Sequence, residues 1–72
     1  MIEINKEKLL MWAEVETAAG WGGLAKIVKL SGLSSPTVLR ALRDGRATHK
    51  TIIKIDKAVA RVRKEIKSAT SL

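Results

Sequence analysis

Apolar residues recur along the chain at helical spacing in four segments separated by glycine and other turn residues. The first predicted helix runs from Asn5 to about Ala19, and one face is formed by Leu9, Trp12, Ala13 and Glu16. Asn5 is suited to cap its N-terminus, since a short polar side chain accepts a hydrogen bond from a free backbone N–H. Gly20 is suited to end it.

The second segment, "LAKIVKLS" at residues 24–31, predicts a short amphipathic helix. One face holds Leu24, Ile27, Val28 and Ser31, and the other holds Ala25, Lys26 and Lys29. Gly32 then supplies the left-handed backbone conformation that a tight exit requires. Leu33 follows the turn and is predicted to reach the core.

The third predicted helix begins in "SSPTV". Proline is tolerated in the first helical turn and disfavours helical geometry in the residue before it, so Ser35 is the favoured cap and Ser34 its rival. Gly45 closes the helix. Its predicted buried stripe is Val38, Ala41 and Leu42, and its outer side carries Pro36, Thr37, Leu39, Arg40 and Arg43.

A longer C-terminal helix is predicted over residues 49–67, after a loop, "RATH", in which Thr48 is a candidate cap. The residues of its apolar seam are spaced alternately three and four positions apart: Ile52, Ile55, Val59, Val62 and Ile66. The first half of the seam is predicted to be core, and the second half, Val59, Val62 and Ile66, to contact a second subunit. The predicted fold is therefore all-α, a compact bundle of four to five short helices in one domain over residues 1–72.

Charge is distributed unevenly in this chain of 72 residues with a formal net charge of +7. Residues 1–23 contain two lysines and four glutamates, whereas residues 24–72 contain twelve basic and three acidic side chains. Such polarity favours a polyanionic partner, with nucleic acid first and an anionic membrane surface second. The longest apolar run is "LLMWA", so neither a signal peptide nor a membrane span is expected, and we predict a cytoplasmic protein.

The outer side of the third helix carries the predicted function. Together with the second helix it forms two short helices joined by a tight turn, and the major groove of duplex DNA admits one such helix. Arg40 and Arg43 are candidates for guanine contacts, Thr37 for a base edge and Leu39 for a thymine methyl, with Pro36 on the same base-reading side. The predicted phosphate contacts are Lys26, Lys29, Ser34, Ser35, Arg46, Thr48, His49 and Lys50.

Plainer interpretations exist for several of these residues. Arg40 could form an exposed pair with Asp44 at i+4, worth only about 0.3–0.5 kcal/mol. Trp12 and Trp21 are predicted to be core. His49 is the only histidine and there is no cysteine, so no metal site is predicted. The chain also lacks a glycine-rich phosphate loop, a nucleophile paired with a base and clustered carboxylates, so we predict neither an enzyme nor a cofactor.

The segment 24–43 resembles the helix-turn-helix of the lambda-repressor-like superfamily, which includes phage repressor and Cro-type regulators, antitoxin regulators and the lactose-repressor type. The matching positions are Ile27, Val28, Gly32, Leu33, Ser34, Thr37, Val38, Arg40, Ala41 and Leu42, and "ATHKTIIKIDKAV" resembles the helix that follows the motif. The resemblance spans about residues 9–60. It implies a DNA-binding domain, usually dimeric, encoded by a bacterium or phage and acting at the nucleoid. The chain departs from the family at Gly23 and Leu24, where a small polar cap and glutamine are common, and at Val28, where alanine is usual.

The leading hypothesis is a sequence-specific regulator that binds double-stranded DNA as a homodimer, with residues 36–44 in the major groove. An alternative is an antitoxin or adaptor whose main ligand is a protein partner, with DNA binding secondary. A third hypothesis is a binder of RNA or of an anionic surface.

Overall fold

The computed structural model describes residues 1–70, and their side chains through residue 67. Within these residues it contains four helices, α1 Lys6–Ala18, α2 Gly23–Ser31, α3 Ser35–Asp44 and α4 His49–Thr70, and two short strands, β1 Ile2–Glu3 and β2 Arg46–Ala47. The chain measures 41 × 23 × 18 Å. No helix in residues 1–70 combines the length and the apolar character that crossing a bilayer requires. The prediction of a largely helical domain is thus confirmed.

Helix ends follow the predicted capping residues except at the starts of α2 and α3. Asn5 caps α1, because its Oδ1 accepts a hydrogen bond from the Glu7 N–H at 2.8 Å. Gly32 and Gly45 end α2 and α3 with φ values of 71° and 67°. The cap of α3 is Ser34 and not the favoured Ser35.

The start of α3 shows why the favoured cap is wrong. The Ser34 carbonyl accepts from Thr37 N at 3.1 Å and from Val38 N at 3.2 Å, so the first helical hydrogen bonds already close on Ser34. Pro36 then occupies the second helical position, where its missing N–H has no intrahelical partner to lose. Ser35 is therefore the first helical residue, even though it precedes a proline.

Glycine at the start of α2 permits a close approach of α1. A Cβ atom at Gly23 would lie 2.6 Å from the Glu16 carbonyl oxygen and 2.9 Å from the Ala19 Cβ. Only a residue without a side chain fits there, because the Glu16 carbonyl belongs to the backbone and cannot rotate away. Gly23 was expected at the cap position of the second helix, but the cap is Gly22 and Gly23 is the first helical residue, where packing against α1 requires glycine.

The strands β1 and β2 pair in antiparallel fashion, which the sequence analysis did not predict. Ile2 lies opposite Ala47 and Glu3 opposite Arg46, and Ile4 N donates to the Gly45 carbonyl at 2.8 Å. The segment predicted as the loop "RATH" is thus partly a strand. Two-residue strands have no periodicity to detect, yet the ladder buries Ile4 and Ala47 in the core.

The core lies between α4 and the other helices. Its buried members are Ile4, Trp12, Val15, Ile27, Val38, Ala41, Ala47, Ile55, Ala58, Val59 and Val62. The prediction that Val59 and Val62 contact a second subunit is wrong, because their side chains are 0% and 1% exposed within this single chain. Ile66 is half-buried against the same core. α4 therefore uses its whole seam to pack on its own domain.

The two tryptophans have opposite environments. Trp12 is fully buried, as predicted, and its Nε1 donates to Asp56 Oδ1 at 3.1 Å. The prediction that Trp21 is core is wrong, since it is 105% exposed. It stands in the turn between α1 and α2, flanked by Gly20 and Gly22, both with positive φ, and this turn carries the side chain away from the protein.

Candidate nucleic-acid interface

Helix α3 has a buried apolar stripe on one side and exposed residues, two of them arginines, on the other. Val38 and Ala41 are buried and Leu42 is half-buried. On the opposite side, Thr37 is half-buried and four residues are exposed: Pro36, Leu39, Arg40 and Arg43. The predicted base-reading residues therefore lie together on the outside of the molecule, as the helical spacing requires.

A first shallow hollow follows the outer side of α3. It has a volume of about 310 Å³ and is lined by Pro36, Leu39, Arg40, Arg43 and Asp44. Apolar surface from Pro36 and Leu39 thus borders two guanidinium groups. The hollow is open to solvent, so a ligand has access to both.

The pair between Arg40 and Asp44 does not form. Among residues 1–67, ion pairs join Lys8 with Asp56 at 3.3 Å and Lys26 with Glu65 at 3.6 Å. Neither arginine of α3 takes part in them. Their donors therefore face solvent without a carboxylate to satisfy them.

A second hollow joins α3 to β2 and to the start of α4. It has a volume of about 180 Å³, and its polar lining residues are Thr37, Arg40, Arg46, Thr48 and Thr51. Arg40 lines both hollows, so the two form one continuous surface. We call this surface the α3 face; it comprises Pro36, Thr37, Leu39, Arg40, Arg43, Arg46, Thr48 and Thr51. It brings residues predicted to read bases next to residues predicted to bind phosphate.

The start of α4 contributes hydroxyl groups to one edge of the α3 face. The Thr51 N–H donates to Thr48 Oγ1 at 3.3 Å, and the Thr48 hydroxyl donates to Thr51 Oγ1 at 2.9 Å. His49 and Lys50 are exposed in the same turn. Thr51 was not among the predicted site residues, although its position three residues after the cap could have indicated it. Met1, which also lines the second hollow, was missed because β1 places it there.

The N-terminus of α3 contributes one free backbone N–H, that of Ser35, and exposed serine hydroxyl groups. Ser34 Oγ and Thr37 Oγ1 are 2.7 Å apart, and both Ser34 and Ser35 are exposed. The Ser34 side chain makes no capping bond to the backbone of the first turn. Thr37 and Val38 already donate to the Ser34 carbonyl and Pro36 has no N–H, so the Ser35 N–H, the hydroxyl groups and the positive end of the helix dipole are what favour an anion at this position.

The two lysines of α2 that were predicted to bind phosphate, Lys26 and Lys29, lie outside the candidate site. Lys26 Nζ lies 3.6 Å from Glu65 Oε2, so its charge is directed towards α4. Lys29 is exposed. Neither lysine lines the hollows of the α3 face. The structure thus brings Arg46 and Thr48 to the candidate site and leaves Lys26 engaged elsewhere.

The arrangement is suited to binding an extended anion rather than to enclosing a small molecule. Three arginines and three threonines line an open surface whose one lining carboxylate, among the described residues, is Asp44. Arginine donates in a planar fork that fits both phosphate oxygens and the guanine edge.

No protein-family model, curated protein or solved structure matches the chain.

Proposed function

We propose that the protein is a sequence-specific regulator that binds double-stranded DNA through the α3 face, in the manner of a lambda-repressor-like helix-turn-helix. The observation that carries this proposal is the exposure of Arg40 and Arg43 opposite the buried stripe of α3, with no ion pair to either. Charged donors left without partners on one side of a short helix suit a ligand that supplies acceptors.

The dimensions of α3 agree with this function. A helix of ten residues is about 15 Å long and, with its side chains, about 10–12 Å wide. The major groove of B-form DNA is about 12 Å wide and admits one helix. With α3 in the groove, Arg40 and Arg43 reach guanine edges, and Leu39 and Pro36 supply apolar surface for a thymine methyl.

The remaining residues of the α3 face lie beside α3, in β2 and around the start of α4. Arg46 and Thr48 lie there, with Lys50 exposed in the next turn, and they are proposed to bind the phosphates that flank the groove. Ser34 and Ser35 occupy the N-terminal end of α3, where their hydroxyl groups, the Ser35 N–H and the positive end of the helix dipole are proposed to add a phosphate contact. The duplex is thus held along one side of the recognition helix and at its N-terminal end.

The experiment is selection of bound duplexes from a random pool at two salt concentrations, followed by affinity measurements on the selected site. Arg40→Ala and Arg43→Ala are each expected to cost about 1–3 kcal/mol at that site and to relax the preference for one base pair. Arg61→Ala, which removes an exposed arginine of α4 outside the α3 face, is the matched control and is expected to keep the preference. Equal losses on selected and scrambled duplexes would contradict the assignment.

A separate measurement tests the phosphate contacts. Lys50→Ala is expected to weaken binding to all duplexes alike and to reduce by about 1 the slope of log affinity against log salt. Isothermal titration at several salt concentrations supplies this slope. A Lys50 variant that lost selectivity at unchanged nonspecific affinity would show that Lys50 reads a base instead.

The second candidate function is a module that binds a protein partner, and the exposed Trp21 favours it. Large aromatic side chains are enriched at the centres of protein interfaces, and this one has no cover from the described part of its own chain. Trp21→Ser separates the two functions: a DNA-binding regulator keeps its affinity for duplex, whereas an adaptor loses its protein ligand. Stronger competition by structured RNA or anionic vesicles than by duplex DNA would favour the third hypothesis.

A further inference from the structure

Helix α1 carries apolar side chains on two sides. Its inner side buries Trp12 and Val15. On its outer side Leu10 is 63% exposed, and Ala13 and Ala18 are also exposed. Two adjoining shallow hollows, of about 370 and 400 Å³, both include Leu10 and Ala13 in their lining. The DNA-binding proposal does not use this surface.

We define the α1 outer face by Lys6, Leu10, Ala13, Glu14, Thr17 and Ala18, which line these two hollows. Its centre is Leu10, and small residues on the C-terminal side of Leu10 leave room for a close approach by another helix. Lys6, Leu10 and Glu14 form a row at i, i+4 and i+8, the ridge most often used when two helices pack.

Charge identifies the occupant of this face. Two copies of a chain with a net charge of +7 repel each other across their basic surfaces. The segment 1–23 has two lysines and four glutamates, a net charge of −2, whereas residues 24–72 have a net charge of +9, so two copies that meet through the segment 1–23 bring the smaller like charges together and keep the basic parts apart. On the α1 outer face itself there is one charge of each sign, Lys6 and Glu14, placed four residues before and four residues after Leu10.

We propose that the α1 outer face binds the same face of a second copy, with the two α1 helices antiparallel about a two-fold axis at Leu10. In this arrangement Leu10 packs on Leu10 of the second copy, and Lys6 lies opposite Glu14 of the second copy on both sides of the axis. A two-fold contact requires one surface to complement itself, and the equal spacing of the two charges from Leu10 satisfies that requirement. The dimer contact predicted at Val59 and Val62 is thereby replaced by one on α1.

The size of the face sets the strength of the association. Thirteen residues of helix give a strip about 20 Å long and about 10 Å wide. This is far below the roughly 800 Å² per partner of a stable interface, so free chains associate weakly. Bound to adjacent half-sites on one duplex, two chains meet at a high effective concentration and the same contact then adds cooperativity.

Sedimentation equilibrium without DNA, from about 10 µM to about 1 mM protein, tests the contact itself. The natural chain is expected to shift from monomer to dimer across this range. Leu10→Glu places a charge on the two-fold axis and is expected to remain monomeric throughout. Ile53→Glu, which changes an exposed apolar residue of α4 outside the face, is the matched control and is expected to dimerise like the natural chain. A natural chain that is monomeric at every concentration, or a Leu10→Glu chain that dimerises, would overturn the proposal.

A charge exchange tests the antiparallel arrangement. Lys6→Glu and Glu14→Lys are each expected to weaken dimerisation, because each places like charges opposite one another. The double variant restores opposite charges and is expected to recover the dimer. Failure of the double variant to recover, after both single variants had weakened the dimer, would overturn the pairing of Lys6 with Glu14. Circular dichroism of each variant verifies that the monomer is folded.

The outcome of the sedimentation and charge-exchange experiments is independent of DNA binding, because self-association is measured on the protein alone. The cooperative role at adjacent half-sites rests on the proposed function and is tested separately: Leu10→Glu is expected to abolish cooperativity on a two-site duplex while keeping the affinity for a single site. Loss of single-site affinity in that variant would contradict a role confined to the contact between copies.

Discussion

Helices α1 and α3 each bury one side and expose another, but their exposed sides differ in kind. The exposed side of α3 carries two arginines without ion pairs, whereas that of α1 is centred on a leucine with small residues beside it. The first is suited to a charged ligand and the second to another apolar surface. A chain this small can therefore expose two surfaces of different chemical character without enlarging its core.

The contrast also explains which predictions were correct. In α3 Val38, Ala41 and Leu42 fall on one side and both arginines on the other, so the helical spacing identifies the buried stripe correctly. In α1 apolar residues occur on both sides, and the face predicted from Leu9, Trp12, Ala13 and Glu16 is only partly buried. Ala13 of that face is exposed, and Val15, outside it, is buried.

The largest expected effect separates the two sides of α1. Trp12→Ala is expected to destabilise the fold by about 3–5 kcal/mol, because it empties a fully buried site and removes the indole donor from Asp56. Leu10→Ala, on the outer side, is expected to change stability by less than about 0.5 kcal/mol. Urea denaturation followed by far-ultraviolet circular dichroism measures both. Comparable losses would show that the monomer depends on both sides of α1.

A smaller effect tests how closely the inner side of α1 approaches α2. Gly23→Ala is expected to cost about 3 kcal/mol, the upper end for overpacking, because the new methyl group meets the backbone carbonyl of Glu16. Gly20→Ala is the comparison: its φ of 71° makes alanine strained, but nothing lies within 4 Å, so a loss of about 1 kcal/mol is expected. The same denaturation experiment ranks the two, and a larger loss for Gly20→Ala would show that α1 and α2 can separate at little cost.

The smallest effect compares the N-termini of α1 and α3. Asn5→Ala is expected to cost about 1 kcal/mol, because the Asn5 side chain accepts a hydrogen bond from the first turn of α1. Ser34→Ala is expected to cost less than about 0.5 kcal/mol, since the Ser34 hydroxyl contacts Thr37 Oγ1 and no backbone donor. Thermal unfolding distinguishes the two. A larger loss at Ser34 would indicate that this hydroxyl does cap α3 in solution.

The candidate site was predictable to the extent that it lies on one helix. Pro36, Leu39, Arg40 and Arg43 follow from the spacing within α3, and the structure shows them exposed together. Thr51 and Met1 complete the second hollow through the ladder between β1 and β2 and the start of α4, which bring distant parts of the chain together. Lys26 was assigned to phosphate from its position on α2, and its ion pair with Glu65 depends on how α2 packs against α4.

The sequence by itself determined the four helices, the glycines that end α2 and α3, and the side of α3 that faces solvent, because hydrogen bonding, capping and amphipathic spacing act within a few residues. Tertiary structure alone decided that Trp21 is exposed, that Val59 and Val62 are core and that β1 pairs with β2. The spacing of residues along one helix defines its faces relative to each other. Where apolar residues occur on both sides of a helix, as in α1, the neighbouring helices decide which side is buried, and their arrangement follows from the packing of the whole chain.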